Sequence, residues 1–149
     1  MGLTVVNETF PDNVKARASV WVLDTLGPTN TVLIGHSSGA VAAMRYAETH
    51  RVLGSVLVGV CHTDLGDPGE RASGYYRAPW QDAIRANQQW IGVFHGADDP
   101  LIPVREARHV ASRLAASYFE LADRGHFVDR GPFSELIQFV RRKLQPRIT

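Results

Sequence analysis

The residues Gly35-His36-Ser37-Ser38-Gly39 match the pattern G-x-S-x-G, which can present a serine hydroxyl as a nucleophile. A strand-like run, Val32-Leu33-Ile34, leads directly into them, and an alanine-rich helical pattern begins directly after. In that setting Ser37 sits on a tight turn at a strand end, with Gly35 and Gly39 giving the backbone room. The first N–H groups of the helix then lie where an oxyanion would develop, that of Ser38 foremost. A structural turn without chemistry is the competing reading of the same five residues.

A serine at its ordinary pKa is a weak nucleophile and needs a base, which in turn needs an acid to orient it. Both stand downstream. The segment His95-Gly96-Ala97-Asp98-Asp99-Pro100-Leu101-Ile102-Pro103 follows one strand-like run, and Asp123-Arg124-Gly125-His126-Phe127 follows the next. His126 is the candidate base. Asp98 and Asp99 compete for the acid. Two residues separate Asp99 from Ile102-Pro103, a spacing that favours it, and the other carboxylate would cap the turn or helix that follows. Nucleophile, acid and base, each after a later strand, would meet at one edge of a parallel sheet.

The other histidines carry a weaker signal. His36 lies inside the elbow, as a packing residue or a substrate contact. His50, His62, His95 and His109 show no zinc spacing and no second cysteine could join them, so no metal is expected. There is no G-x-G-x-x-G and no P-loop, so no cofactor is expected either. Tyr75, Tyr76 and Trp80 cluster in the irregular stretch 61–80, either as an aromatic wall for a hydrophobic substrate group or as a cover over the core.

The elements that must position these groups read as an α/β domain. Strands are expected at 3–6, 31–34, 55–60, 91–94 and 118–121. Helices are expected at 14–26, 40–50, 104–114 and 133–144, with a short one at 81–89. Alternation of this kind implies a mostly parallel sheet of about five strands flanked by helices. In the last helix Phe133, Leu136, Ile137, Val140 and Leu144 fall on one face. The 149 residues suit one domain, 1–149.

Composition narrows the partners. A formal net charge of +1, with the basic residues scattered, argues against a nucleic-acid or membrane surface. The one cysteine, Cys61, cannot form an intrachain disulfide and suits a reducing compartment. The first residues do not read as a signal peptide. A cytoplasmic protein is expected, with the nucleus as a second compartment.

The stretch GHSSGAVAAMRYAETHRV resembles the small serine hydrolases related to retinoblastoma-binding protein nine, and DLGDPGERASGYYRAPWQ, DDPLIP and GHF strengthen the likeness. The resemblance implies a Rossmann-like α/β-hydrolase core with Ser37, Asp99 and His126 as its triad. It also implies cofactor-free hydrolysis of small carboxyl esters or amides, amino-acid derivatives included. The family's retinoblastoma-protein binding is attributed to a Leu-x-Cys-x-Glu motif. Residues 23–30 hold no such motif, so that partner is not expected. Family members begin with a central strand and a glycine-rich loop that supplies one oxyanion donor, and neither has a counterpart in this sequence. The alternative expectation is therefore a shortened, non-catalytic relative that binds or regulates.

Overall fold

The computed structural model describes residues 30–76, 82–128 and 131–145, together with Thr4. Along the chain come β1 (Val32–His36), α1 (Ser38–Ala47), β2 (Gly54–Val58), α2 (Pro68–Ala72), α3 (Ala83–Ala86), β3 (Trp90–Gly96), α4 (Val104–Leu114), β4 (Ser117–Leu121) and α5 (Ser134–Leu144). The four strands form one sheet in the order β1-β2-β3-β4. Every pairing is parallel, with Ile34 opposite Val56, Leu57 opposite Val93 and Phe94 opposite Phe119. The strand expected at 3–6 and the helix at 14–26 lie outside the described residues.

Parallel strands demand crossovers, and crossover helices cover the sheet, which is why the strands carry little polarity. All five residues of β2 are buried. On one face, Ala40, Val41 and Met44 of α1 join Val110 and Leu114 of α4 over Leu57 and Val93. The opposite face is sealed by α5, whose Phe139 packs with Val56, Val58 and Phe94. Trp90, Phe94 and Phe119 meet the Phe139 ring edge-on, with centroids 5.6, 5.8 and 5.4 Å away.

Two sequence expectations change. The buried stripe of α5 runs through Leu136, Phe139, Val140 and Leu144, while Ile137 is left exposed. Periodicity admitted either phase; the aromatic pocket over β3 selected the one that buries Phe139. The stretch 61–80 is also not wholly irregular, because it contains α2. Asp67 caps that helix through a 2.9 Å bond from the Glu70 N–H to its Oδ1, and Pro68 stands in the first turn, where no intrahelical donor is needed. The cap-Pro-x-Glu signal was present, but the surrounding glycines masked it.

Gly92 lies in the middle of β3 beneath α5. A Cβ there would stand 2.5 Å from Cε1 of Phe139, a ring already wedged among other aromatics. Gly92→Ala is expected to destabilise the fold by about 1–3 kcal/mol through overpacking. Urea unfolding checks this: the midpoint should fall while the m-value holds.

Candidate active site

The turn from β1 into α1 is built around Gly35 and Ser37. A Cβ on Gly35 would lie 2.3 Å from the Gly39 carbonyl oxygen, so only glycine allows the chain to fold back so closely. Gly39 itself is not under that constraint, since a Cβ there would meet nothing within 4 Å. The expectation that both glycines make room is thus corrected to Gly35 alone. Ser37 has φ 55° and ψ −124°, a backbone conformation that L residues rarely adopt and that costs on the order of 1–3 kcal/mol. It is held by its N–H to the Val58 carbonyl at 2.9 Å, and its own carbonyl accepts from Ala40 at 2.9 Å. Ser38 is the first residue of α1 and so carries one of the helix's N–H groups without an intrahelical acceptor.

The two aspartates differ in their contacts. Asp99 Oδ2 accepts the His126 Nδ1–H at 2.8 Å, and the Asp99 side chain has no exposure to solvent. Its Oδ1 accepts the N–H groups of Leu101 at 2.8 Å and Ile102 at 2.9 Å. Asp98 instead takes the Gly125 N–H at 2.8 Å and so pins the loop that carries the histidine. With Nδ1–H committed to Asp99, the neutral His126 ring keeps its lone pair on Nε2, the tautomer a general base needs.

Three further contacts fix that loop. Arg124 makes a two-oxygen ion pair with Glu135 of α5 at 2.8 and 2.7 Å, which holds the Glu135 carboxyl below its ordinary range. Phe127 stacks on Phe133 with centroids 5.0 Å apart. Gly96, at the end of β3, comes so near that a Cβ would lie 2.1 Å from the Gly125 carbonyl oxygen.

His126 is brought to the serine's turn by His36 and Gly59. The His36 Nε2–H donates to the His126 carbonyl at 2.7 Å, and the two rings lie 4.7 Å apart. Gly59, one residue past the Val58 carbonyl that holds Ser37, has φ +55°; a Cβ there would be 3.2 Å from His126 Cε1. His36 therefore supports His126, through this hydrogen bond and the contact between the two rings.

The aromatic cluster divides. Tyr75 is 2% exposed and belongs to the core beside α1, so its ring packs against the core, the second of the two readings of the cluster, and does not form a substrate wall. Tyr76 is half-buried, its phenol 3.3 Å from Cys61 Sγ and donating to Glu70 Oε2 at 3.1 Å. Trp80 lies outside the described residues. Burial pushes the Cys61 thiol up to about 11, so it stays protonated and is no rival nucleophile. Among the described residues no group of three or more His, Cys, Asp or Glu is placed to hold a metal ion.

Sequence reasoning gave no role to Glu70 and Glu106. Glu70 Oε1 accepts from the Ser38 hydroxyl at 3.4 Å, tying α2 to the elbow. Glu106, buried on α4, accepts the N–H groups of His62 and Thr63 at 3.0 and 3.1 Å and anchors the chain leaving β2. Neither could be found from spacing, since each acts across more than thirty residues.

Comparison with known proteins shows the family of the chain. A family model described as "Serine hydrolase" matches residues 21–141. The rat (Rattus norvegicus) serine hydrolase RBBP9 is 44% identical over 152 positions, which cover 99% of this chain and 81% of the rat protein. Among solved structures, the ydeN gene product of B. subtilis superposes with a TM-score of 0.76 at 20% identity, covering 86% of this chain and 72% of its own. Mouse alpha/beta hydrolase domain-containing protein 10 gives 0.58 at 16% identity, covering 87% and 69%. At such identities the two structures establish the fold alone, an α/β hydrolase.

Two substitutions probe the arrangement through hydrolysis of p-nitrophenyl acetate. Asp99→Asn should lower kcat by about 10⁴-fold, because it breaks the tautomer relation with His126, and Asp98→Asn should cost far less. Gly59→Ala should strain the backbone by roughly 1–2 kcal/mol and displace His126. Its kcat/KM should fall by at least about tenfold while circular dichroism stays that of the folded chain.

Proposed function

The chain belongs to the serine hydrolase family, and from that membership we propose that it cleaves small carboxyl esters or amides through an acyl-enzyme on Ser37. The observation that carries the reading is the Asp99–His126 hydrogen bond, placed beside the strained serine turn by His36 and Gly59. His126 Nε2 takes the Ser37 proton as Oγ attacks the substrate carbonyl. The Ser38 N–H, at the start of α1, donates to the oxyanion of the tetrahedral intermediate. His126 then protonates the leaving group, and the same nitrogen activates water to release the acid.

Leu101 and Val128, each two residues beyond a triad member, are large apolar side chains 63% and 58% exposed. They favour a hydrophobic acyl or leaving group over a highly charged one. No helix among the described residues is long and apolar enough to cross a membrane. The free buried thiol of Cys61 suits the reducing cytoplasm as the working compartment. A purely binding or regulatory role is the reading that the family matches do not favour.

A fluorophosphonate probe tests the assignment, because it labels only a serine activated by its base. The wild type should be labelled and Ser37→Ala should not. Equal labelling of the two proteins would remove Ser37 from the mechanism.

A further inference from the structure

His95 ends the apolar run of β3 and is fully buried, with 0% of its surface exposed. An imidazole in such a place carries a desolvation penalty that a leucine or phenylalanine would not. Half of that penalty is left unrelieved, because Nδ1 has no hydrogen-bond partner among the described residues. The other nitrogen is engaged. A carbonyl oxygen can only accept, so His95 Nε2 carries the ring proton and donates it to the Ile102 carbonyl at 2.9 Å.

Ile102 has a second bond, from its N–H to Asp99 Oδ1 at 2.9 Å. Asp99 in turn holds His126 through Oδ2 at 2.8 Å. The result is a continuous chain of hydrogen bonds from His95 through Ile102 and Asp99 to His126. His95 Nε2 itself stands 3.8 Å from Asp99 Oδ2, beyond hydrogen-bond range, so it does not compete with His126 for that oxygen. The turn 99–102 is otherwise open to solvent at Leu101, and its carbonyl at Ile102 is fixed from the buried side by His95.

We propose that His95 is a positioning residue for the acid: by holding the Ile102 carbonyl it fixes the turn whose N–H groups aim Asp99 at His126. This rests on the reading of Ser37, Asp99 and His126 as the triad. His95 touches neither substrate nor reacting atoms, so it acts through the orientation of Asp99.

The test compares three variants by p-nitrophenyl acetate kinetics and by the downfield proton resonance of the His126–Asp99 hydrogen bond. His95→Gln keeps an N–H close to the Nε2 position, whereas His95→Phe fills the space without a donor. His95→Met is a second donor-free variant for use if Phe does not fold. The donor-free variant should lose kcat by on the order of 10²-fold with KM little changed, and its downfield resonance should shift or broaden. His95→Gln should stay within about threefold of wild type and keep the resonance. A folded donor-free variant with wild-type kcat and resonance overturns the proposal. Equal losses in the Gln and donor-free variants, with the resonance unmoved, overturn it too, since packing alone would then explain the residue. Absence of Ser37-dependent turnover in the wild type would bring down the triad reading and this proposal together.

Discussion

A carboxylate with no access to solvent must find its hydrogen bonds inside the protein, and the demands of Asp99 organise the whole carboxyl edge of the sheet. One oxygen takes two N–H groups from its own turn, and the other takes the imidazole of His126. Leaving any of these unmade would cost about 1–3 kcal/mol or more. The loop after β3 and the loop after β4 are thereby bound to one another. Asp98 adds a second tie between the same two loops through the Gly125 N–H. The adjacent carboxylates thus divide the work, one orienting the imidazole and the other holding the backbone that bears it.

The serine side of the site depends on a different constraint, the packing of backbone on backbone. Ser37 persists at a positive φ because Val58 and Ala40 hold its peptide groups and because Gly35 lets α1 begin against β1. The strain is local, but what maintains it is the sheet: Val58 belongs to β2, which is buried along its full length between helices on both faces. Rigid scaffolding of this kind keeps the strained Ser37 turn in register with the loop that carries His126. Gly59 couples the two halves, because it follows the residue that holds Ser37 and lies against the ring of His126.

How far the sequence could be read varied with the range of the interaction. The strands and long helices within the described residues were legible to within a few positions, because period and turn residues are local signals. The phase of α5 was not, since Ile137 and Phe139 are equally apolar and only the aromatic pocket on β3 distinguishes them. Helix α2 announced itself through Asp67, Pro68 and Glu70 but was hidden among glycines. Tyr75 read equally as a pocket wall or a cover over the core, and only its burial places it in the core, because an aromatic in a loop carries no label for the side it will face.

The sequence by itself determined the fold class, the serine on its turn, and the histidine that follows the last strand. Each of these is written in neighbouring residues, where covalent geometry sets what can occur. Only the tertiary structure set Asp99, and not Asp98, against His126, joined His36 to that histidine, and placed His95 behind the Asp99 turn. Those choices turn on hydrogen bonds between segments as many as ninety residues apart. Such distances in sequence carry no period, and burial, which makes each bond obligatory, exists only once the chain has folded.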